Sequence, residues 1–469
     1  MTAISTTSQT TKRNRAPAGI LSIKGKNGSG ATIPEASLEL QYSRVIEKDP
    51  TYAQKGEVIY KWVGSHFCVV SEAEFEKFAL DWLIAHYPDQ VNPGKVASCA
   101  NIAKWKIPTL ADQHTARTGI VIPLKNAYLL IDKQGNITRT QPDMAFGMTY
   151  VINAELPAGG SIYTPSQIPA GSLLAKYFDS SVPDLEVRNY LQEFAGDTLS
   201  PEISTQKAAL LKGAGKNGKS IFTRLLQALH GSYASMRLDR LSDFNLAPLI
   251  GASLVIADEV PKTGIDEQML KSLISGESIT INRKFEKLVN YRPHAKWFIC
   301  TNNDQKLSDN SHGFWRRLAI IPFNQVISDE DTIPNLDQKI IDQELIHFVD
   351  WCLLGLQRLT VRGKLPPEPA SVIASKKSAL MASDSVLSWM DESEVKVSET
   401  SVLIKDDVYA NYDQWCGRNG LKKLSSPQFW KSVQQHLGEI DAGQASRQQG
   451  RKRLVSLSYG SEVDESHPF

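Results

Sequence analysis

The chain has 469 residues, with 52 Lys+Arg against 51 Asp+Glu, and 41% of it is hydrophobic. At about 150 residues per domain this predicts about three domains, with a core large enough to need no disulfide or metal staple. The charge balance argues against a basic protein that coats DNA. No apolar run approaches the ~20 residues of a membrane span, and five scattered cysteines without a CxxC pair argue against a zinc ribbon or disulfide framework.

Residues 1–35 are rich in Gly, Ser, Thr and Lys and read as a tail; they hold no apolar run of the kind a secretory signal needs. Residues 36–200 mix strand and helix patterns and are expected to form an α+β N-terminal domain. Within it, 56–70 is rich in aromatic and β-branched residues and reads as strand, and 72–87 spaces Phe75, Phe78, Ala79, Trp82 and Leu83 as a helix does. Residues 119–138 read as two strands around a turn, 156–171 as a Pro/Gly/Ser connector, and 184–195 as a helix that Gly196 is placed to cap. Over 207–323 the runs AALL, SLVIAD, KWFICT and RLAIIPF alternate with helical segments, which predicts an α/β layer on a largely parallel sheet, spanning 201–330. Residues 331–384 read as a helical linker, with KLPPEP (364–369) as a breaker, and 385–460 as one small domain.

The strongest motif is Gly213-Ala-Gly215-Lys-Asn217-Gly218-Lys219-Ser220, which fits GxxxxGK[ST], stands between a strand candidate and the helix candidate SIFTRLLQALHG, and with Ile221 makes up the expected nucleotide-binding residues. Glycines there let backbone N–H groups curl around a β-phosphate at a helix N-terminus; Lys219 brings a point charge to the β/γ-phosphates, and the Ser220 hydroxyl suits Mg²⁺. Asp258-Glu259 ends the apolar run Leu254–Ala257, 39 residues after Lys219. Asp258 suits the Mg²⁺ shell and Glu259 the polarisation of an attacking water, so the pair favours hydrolysis over binding alone. Asn302 follows another apolar run and can orient that water; Arg316 and Arg317 precede a final one, where an arginine can reach a neighbouring subunit's phosphate. Taken singly, Asn302 could close a plain turn and either arginine a surface ion pair.

In this order the motifs resemble those of the superfamily 3 helicases, of the AAA+ class of P-loop ATPases, and within it the phage/plasmid primase-helicases. The resemblance covers about 40–460 and is sharpest over 207–323. It implies an AAA+ core that hydrolyses ATP with Mg²⁺ and assembles as a homo-oligomeric ring, usually a hexamer. Such a ring moves 3′ to 5′ on single-stranded or forked DNA in the cytoplasm of a bacterial host cell. Lys219, Glu259, Asn302 and Arg317 then carry catalysis, with Asn302 as sensor and Arg317 a better match than Arg316 to the finger. The segment 271–291 resembles the hairpin that reaches into the ring's channel. Arg283, Lys284, Phe285 and Lys287 would meet DNA there, and 281–296 holds five bases against one acid. Asp406–Gly420 resembles the first helix of a C-terminal winged helix, with Pro427 at the first position of the next. Residues 415–455 hold eight bases against two acids, among them Arg451, Lys452 and Arg453 on an expected wing suited to duplex DNA such as an origin. Ile122–Asn126 and Tyr190–Gly196 resemble the helicase-adjacent region. The departure is upstream: only about 200 residues precede the ATPase, without a zinc-type Cys cluster or a paired-acid constellation, Asp132 standing alone. The expectation is a helicase served by a separate primase or polymerase. Two alternatives stay open, an ATP-switched origin-binding initiator and an AAA+ protein remodeller.

Overall fold

In the computed structural model the described residues are 20–21, 33–34, 36–111, 119–199, 205–258, 260, 265–283, 288–302, 312–444 and 452–460. The chain divides into two packing units. One comprises 36–61 with 69–110, and the other 62–68 with the described residues from 111 onward.

The first unit is built on helices α1 (Leu38–Lys48), α2 (Glu72–His86) and α3 (Pro93–Lys104), beside a hairpin of β1 (Tyr52–Lys55) and β2 (Val58–Trp62). Each helix start is fixed by a side chain. Ser37 accepts from Leu40, Ser71 and Glu74 form a reciprocal capping box, and Asn92 accepts from Lys95. Phe75, Ala79 and Leu83, four apart along α2, are fully buried against Tyr42 and Ile46 of α1 and Cys99, Ala100 and Ala103 of α3. Strand β3 (Phe67–Val70) follows β2.

The second unit opens with an antiparallel meander, β4 (Ile120–Pro123), β5 (Tyr128–Ile131) and β6 (Ile137–Thr140). Helices α4 (Leu173–Ser181) and α5 (Leu185–Asp197) lead to the main sheet. Its strands are β7 (Ala208–Lys212), β8 (Tyr233–Ser235), β9 (Leu254–Ala257), β12 (Lys296–Thr301) and β13 (Leu318–Pro322), in spatial order β8-β9-β12-β7-β13. Every pairing in it is parallel. Such strands are buried on both faces, which is why they read as unbroken apolar runs: all residues of β9, β12 and β13 are buried. Helix α6 (Lys219–Leu229) packs Phe222, Leu225, Leu226 and Leu229 into this core, at the spacing of one helix face. Between β9 and β12 lie α7 (Glu267–Ser275) and the antiparallel hairpin β10 (Ile279–Ile281) and β11 (Val289–Tyr291), and the single turn α8 (His312–Trp315) precedes β13.

Two expectations change here. Residues 36–200 divide near 110, and the 331–384 stretch is no linker. Its main helix, α9 (Leu336–Arg362), buries Phe348, Trp351, Cys352, Leu353 and Leu356 within the core, each such side chain contributing about 1.5–3 kcal/mol. Its partner is α5, and Gly196 serves that contact. The residue lies inside α5 and not at its cap, and a Cβ on it would stand 2.4 Å from Leu356 N. Gly355 is the matching position on α9, where a Cβ would stand 2.2 Å from Gln192 O. Close backbone approach selects glycine at both. Buried Glu193 of α5 binds Arg358 and Arg362 of α9, tying the same two helices.

After α10 (Ala370–Ser383), residues 385–460 form a separate apolar cluster around Trp389, Tyr412, Trp415, Phe429 and Trp430. Its helices are α11 (Ser385–Glu392), α12 (Lys405–Arg418) and α13 (Ser426–Leu437). Its strands are β14 (Lys396–Val397), β15 (Leu403–Ile404), β16 (Asp441–Gln444), β17 (Arg453–Val455) and β18 (Leu457–Ser458), with β17 between β15 and β16. Pro427 is the second residue of α13, because the N-cap is Ser425, paired with Gln428 in a capping box. No helix among the described residues is long and apolar enough to cross a membrane.

Candidate functional site

The parallel register brings the main motifs to one edge. Lys212 pairs with Thr301, and Ala257 with Ile299, so the residues just beyond β7, β12 and β9 emerge side by side. These are Gly213, Asn302 and Asp258. Ligands of open parallel sheets bind at this carboxyl edge, because the loops there are free to shape a crevice.

The loop from Gly213 to Gly218 turns into α6. Gly218, at φ 85°, is its N-cap, and Gly215 has φ 108°, so both occupy backbone conformations open mainly to glycine. Gly213 is constrained by space: a Cβ would stand 2.1 Å from Asn217 Nδ2 and 2.3 Å from Phe323 O. Asn217 is buried and donates to Phe323 O at 3.0 Å, which fastens the loop to the end of β13. Lys219, only 4% exposed, donates to Gly213 O at 2.7 Å and Asn217 Oδ1 at 3.0 Å. Burial lowers its pKa from the ordinary lysine value. Its ammonium is thus held inside the loop, where an anion would meet it with little water between. Ser220 is exposed in the first turn of α6, followed by half-buried Ile221.

A cavity of about 900 Å³ opens over this loop, lined by Gly215 through Ile221 together with Asp258, Cys300 and Asn302. Cys300 reports the local electrostatics. Burial pushes its pKa up to about 12, with the Asp258 charge adding and the Lys219 charge opposing. Ser220 and Asp258 offer hydroxyl and carboxylate oxygens, the donor set that suits a hard divalent cation shared with phosphate. The volume lies in the range of small-molecule and cofactor sites. The residues present therefore fit a magnesium-bound nucleoside triphosphate. Glu259 lies outside the described residues.

Two walls of the cavity were not read from the sequence. One is Lys176, Asp179 and Ser180 of α4 with Pro183; the other is the irregular segment after β13, including Gln325, Val326, Ile327 and Asp329. Ile327 N donates to Lys216 O at 2.9 Å and Lys216 pairs with Asp329 at 2.8 Å, so the second wall is strapped to the loop. Its place after a parallel strand was a usable signal. Helix α4 gave none, since it arrives from outside the motif region.

Arg317 stands elsewhere. It precedes Leu318, which pairs with Ala208 at the opposite edge of the sheet. Four residue steps along the strands put it at least ~13 Å from the level of Lys212. Its Nε donates to Ser275 Oγ at 2.7 Å and its Nη1 to Gly313 O at 2.6 Å, while Arg316 is exposed.

Strands β10 and β11 pair antiparallel within the segment 271–291. Ile281 and Val289 are buried at the base, and Gly251 N donates to Tyr291 Oη at 2.9 Å. Arg283 is half-buried, and Lys284, Phe285 and Lys287 lie outside the described residues. Beside β10 runs the 3₁₀ turn Asp243–Leu249, which carries Phe244, an aromatic 53% exposed next to Asp243 at φ 50°. Lys452 and Arg453 are exposed at the β16–β17 hairpin; Arg451 lies outside the described residues.

Residues 211–317, which contain the loop, Asp258, Asn302 and Arg317, match a family of unknown function, DUF5906; residues 382–465 match the poxvirus D5 protein-like family. The similarities are to helicase-type proteins. Over 152 residues, 30% of this chain and 16% of the other, the sequence is 28% identical to "Putative helicase L207/L206" of Acanthamoeba polyphaga mimivirus. The apo structure of the NrS-1 C-terminal region (305–718) superposes with a TM-score of 0.52 at 14% identity, covering 90% of this chain and 100% of that one. A second apo form of that region gives 0.51 at 15% identity, covering 86% and 95%. At such identities the likeness speaks for the fold.

Proposed function

We propose that this chain is an ATP-driven DNA helicase of the superfamily 3 type, built from an AAA+ core and a C-terminal winged helix. It works as a homo-oligomeric ring, most simply a hexamer, that translocates 3′ to 5′ on single-stranded and forked DNA. The observation that carries this reading is the convergence of Lys219, Ser220, Asp258 and Asn302 on one cavity over the Gly213–Gly218 loop. The match of residues 382–465 to the poxvirus D5 protein-like family and the 152-residue similarity to a putative mimivirus helicase support it.

In this reading the loop amides and the N-terminus of α6 hold the triphosphate, and Lys219 leaves Gly213 O and Asn217 Oδ1 to meet the β/γ-oxygens. Ser220 and Asp258 would hold Mg²⁺, which supplies charge neutralisation on the transferred phosphoryl group. Glu259, next to Asp258, takes a proton from the attacking water, and Asn302 orients that water from the adjacent strand end. Arg317 cannot serve its own site from the far edge of the sheet. It suits a neighbour's site, which makes hydrolysis depend on the ring. The β10–β11 hairpin carries Arg283, Lys284, Phe285 and Lys287 to the DNA, with exposed Phe244 beside it as a stacking face. Arg451, Lys452 and Arg453 give the terminal domain a basic edge for duplex DNA such as an origin.

The test is ATP hydrolysis by the purified chain with and without single-stranded DNA. Hydrolysis that rises with DNA and disappears in Glu259→Gln is the expected result. Absence of hydrolysis in the wild type under all DNA conditions would refute the reading.

A further inference from the structure

The loop at the head of α6 is held from a direction that the motif does not include. Helix α4 lies against it, and Tyr177, fully buried, donates its hydroxyl to the Gly218 carbonyl at 3.0 Å. The same carbonyl accepts the Phe222 amide of α6 at 3.1 Å, so both its lone-pair directions are used. A trans peptide carries its C=O and N–H on opposite sides. Fixing the Gly218 carbonyl therefore fixes where the Lys219 N–H points, away from α4 and toward the mouth of the loop.

Helix α4 also comes close enough to dictate the residue. A Cβ on Gly218 would stand 2.2 Å from Ser181 Oγ and 2.9 Å from Tyr177 Cε2. The helix is itself anchored: Glu344 of α9 accepts from Leu173 N at 3.0 Å and Leu174 N at 2.8 Å, and Phe178 packs its ring 4.5 Å from that of Trp351. Burial raises the Tyr177 pKa well above the ordinary phenol value, so the hydroxyl keeps its proton and remains a donor.

We propose that Tyr177 is a positioning residue for phosphate binding, holding the Gly218–Lys219 peptide in the orientation that aims its N–H at the β-phosphate. The proposal rests on the nucleotide-binding reading above and adds a residue from outside the loop, contributed by a helix some 40 residues upstream. Because α4 is braced by α9, the loop's geometry is set by the helical layer as well as by its own glycines.

The experiment compares the full-length wild type with Tyr177→Phe, which keeps the ring and removes only the hydroxyl. Binding of fluorescent ATP and ADP is titrated with Mg²⁺ present, and the melting temperature is measured without nucleotide. We expect both Kd values to rise about two- to tenfold, the range of one net hydrogen bond, while the nucleotide-free melting temperature changes by no more than about 2 °C. Glu344→Gln loosens the anchor of α4 without touching the ring and raises the same constants by a smaller factor. Wild-type affinity in Tyr177→Phe overturns the positioning role and leaves the nucleotide reading standing. A fall in melting temperature with Kd unchanged assigns the hydroxyl to stability and also overturns it. If the wild type binds neither nucleotide, the nucleotide reading itself fails.

Discussion

Replacing Lys219 by methionine isolates its charge. The side chain is 4% exposed and its ammonium is already bonded to Gly213 O and Asn217 Oδ1. Against a phosphate oxygen at ~4 Å, with an effective dielectric of about 20, the charge is worth ~4 kcal/mol. Meeting the phosphate means giving up those two bonds, at about 1 kcal/mol each, which leaves ~2 kcal/mol net. The expected loss of ATP affinity is therefore between about 30-fold, where both bonds are given up, and about 1000-fold, where both survive. Stability behaves differently. The folded pKa of Lys219 lies below its unfolded value, so the charged form is disfavoured on folding. That penalty is fully present at neutral pH and is relieved as pH rises through the folded and then the unfolded pKa. Methionine removes that penalty and the two hydrogen bonds together, and these effects oppose each other, so the nucleotide-free melting temperature should stay within about 4 °C of wild type. The assay pairs titration of fluorescent ATP with thermal melting. Unchanged ATP affinity refutes the phosphate role of Lys219; a collapse of the melting temperature refutes the argument about its burial.

Four further outcomes are expected. Lys284→Ala should retain most basal ATP hydrolysis and lose strand separation, read on a fluorescently labelled fork; normal unwinding would remove the hairpin from the DNA path. Gly355→Ala should lower stability by about 1–3 kcal/mol by thermal or chemical unfolding, because the added carbon meets Gln192 O. Gly417→Ala, inside α12 with open space around its Cβ position, should raise stability by up to about 1 kcal/mol in the same measurement. Buried His230 is bonded to Ser253 and Thr198, and burial lowers its pKa from 6.5 to about 3. Its unfolded form takes up a proton first, so stability should fall as pH drops from 6.5 toward 3, and His230→Gln should flatten that stretch of a melting-temperature profile.

The sheet was legible because its strands are buried on both faces and its punctuation is strong. The runs ending at Lys212, Ala257, Thr301 and Pro322 all stand where the apolar pattern puts them. The C-terminal aromatic cluster was legible too, since its residues fall within one stretch and collapse on one another. What failed to show were contacts between distant segments. Gly196 reads locally as a helix stop, and only α9, some 150 residues later, reveals it as a contact glycine. The same holds for α9, whose moderate amphipathicity suits a linker until α5 and α6 are seen to cover it. Tyr177 and the walls of the cavity depend on which helix lands beside the loop, and no spacing within the motif encodes that. Phe244 carries no periodic signal, because it rides on a 3₁₀ turn.

Unwinding of a fork with a 3′ tail tests most directly whether the nucleotide site at the sheet edge drives DNA strand separation. Displacement is expected to require ATP and Mg²⁺, to stop with a non-hydrolysable analogue, and to be lost in both Lys219→Met and Lys284→Ala. ATP-dependent binding of the fork with no displacement by the wild type, at any protein-to-fork ratio, would contradict this expectation.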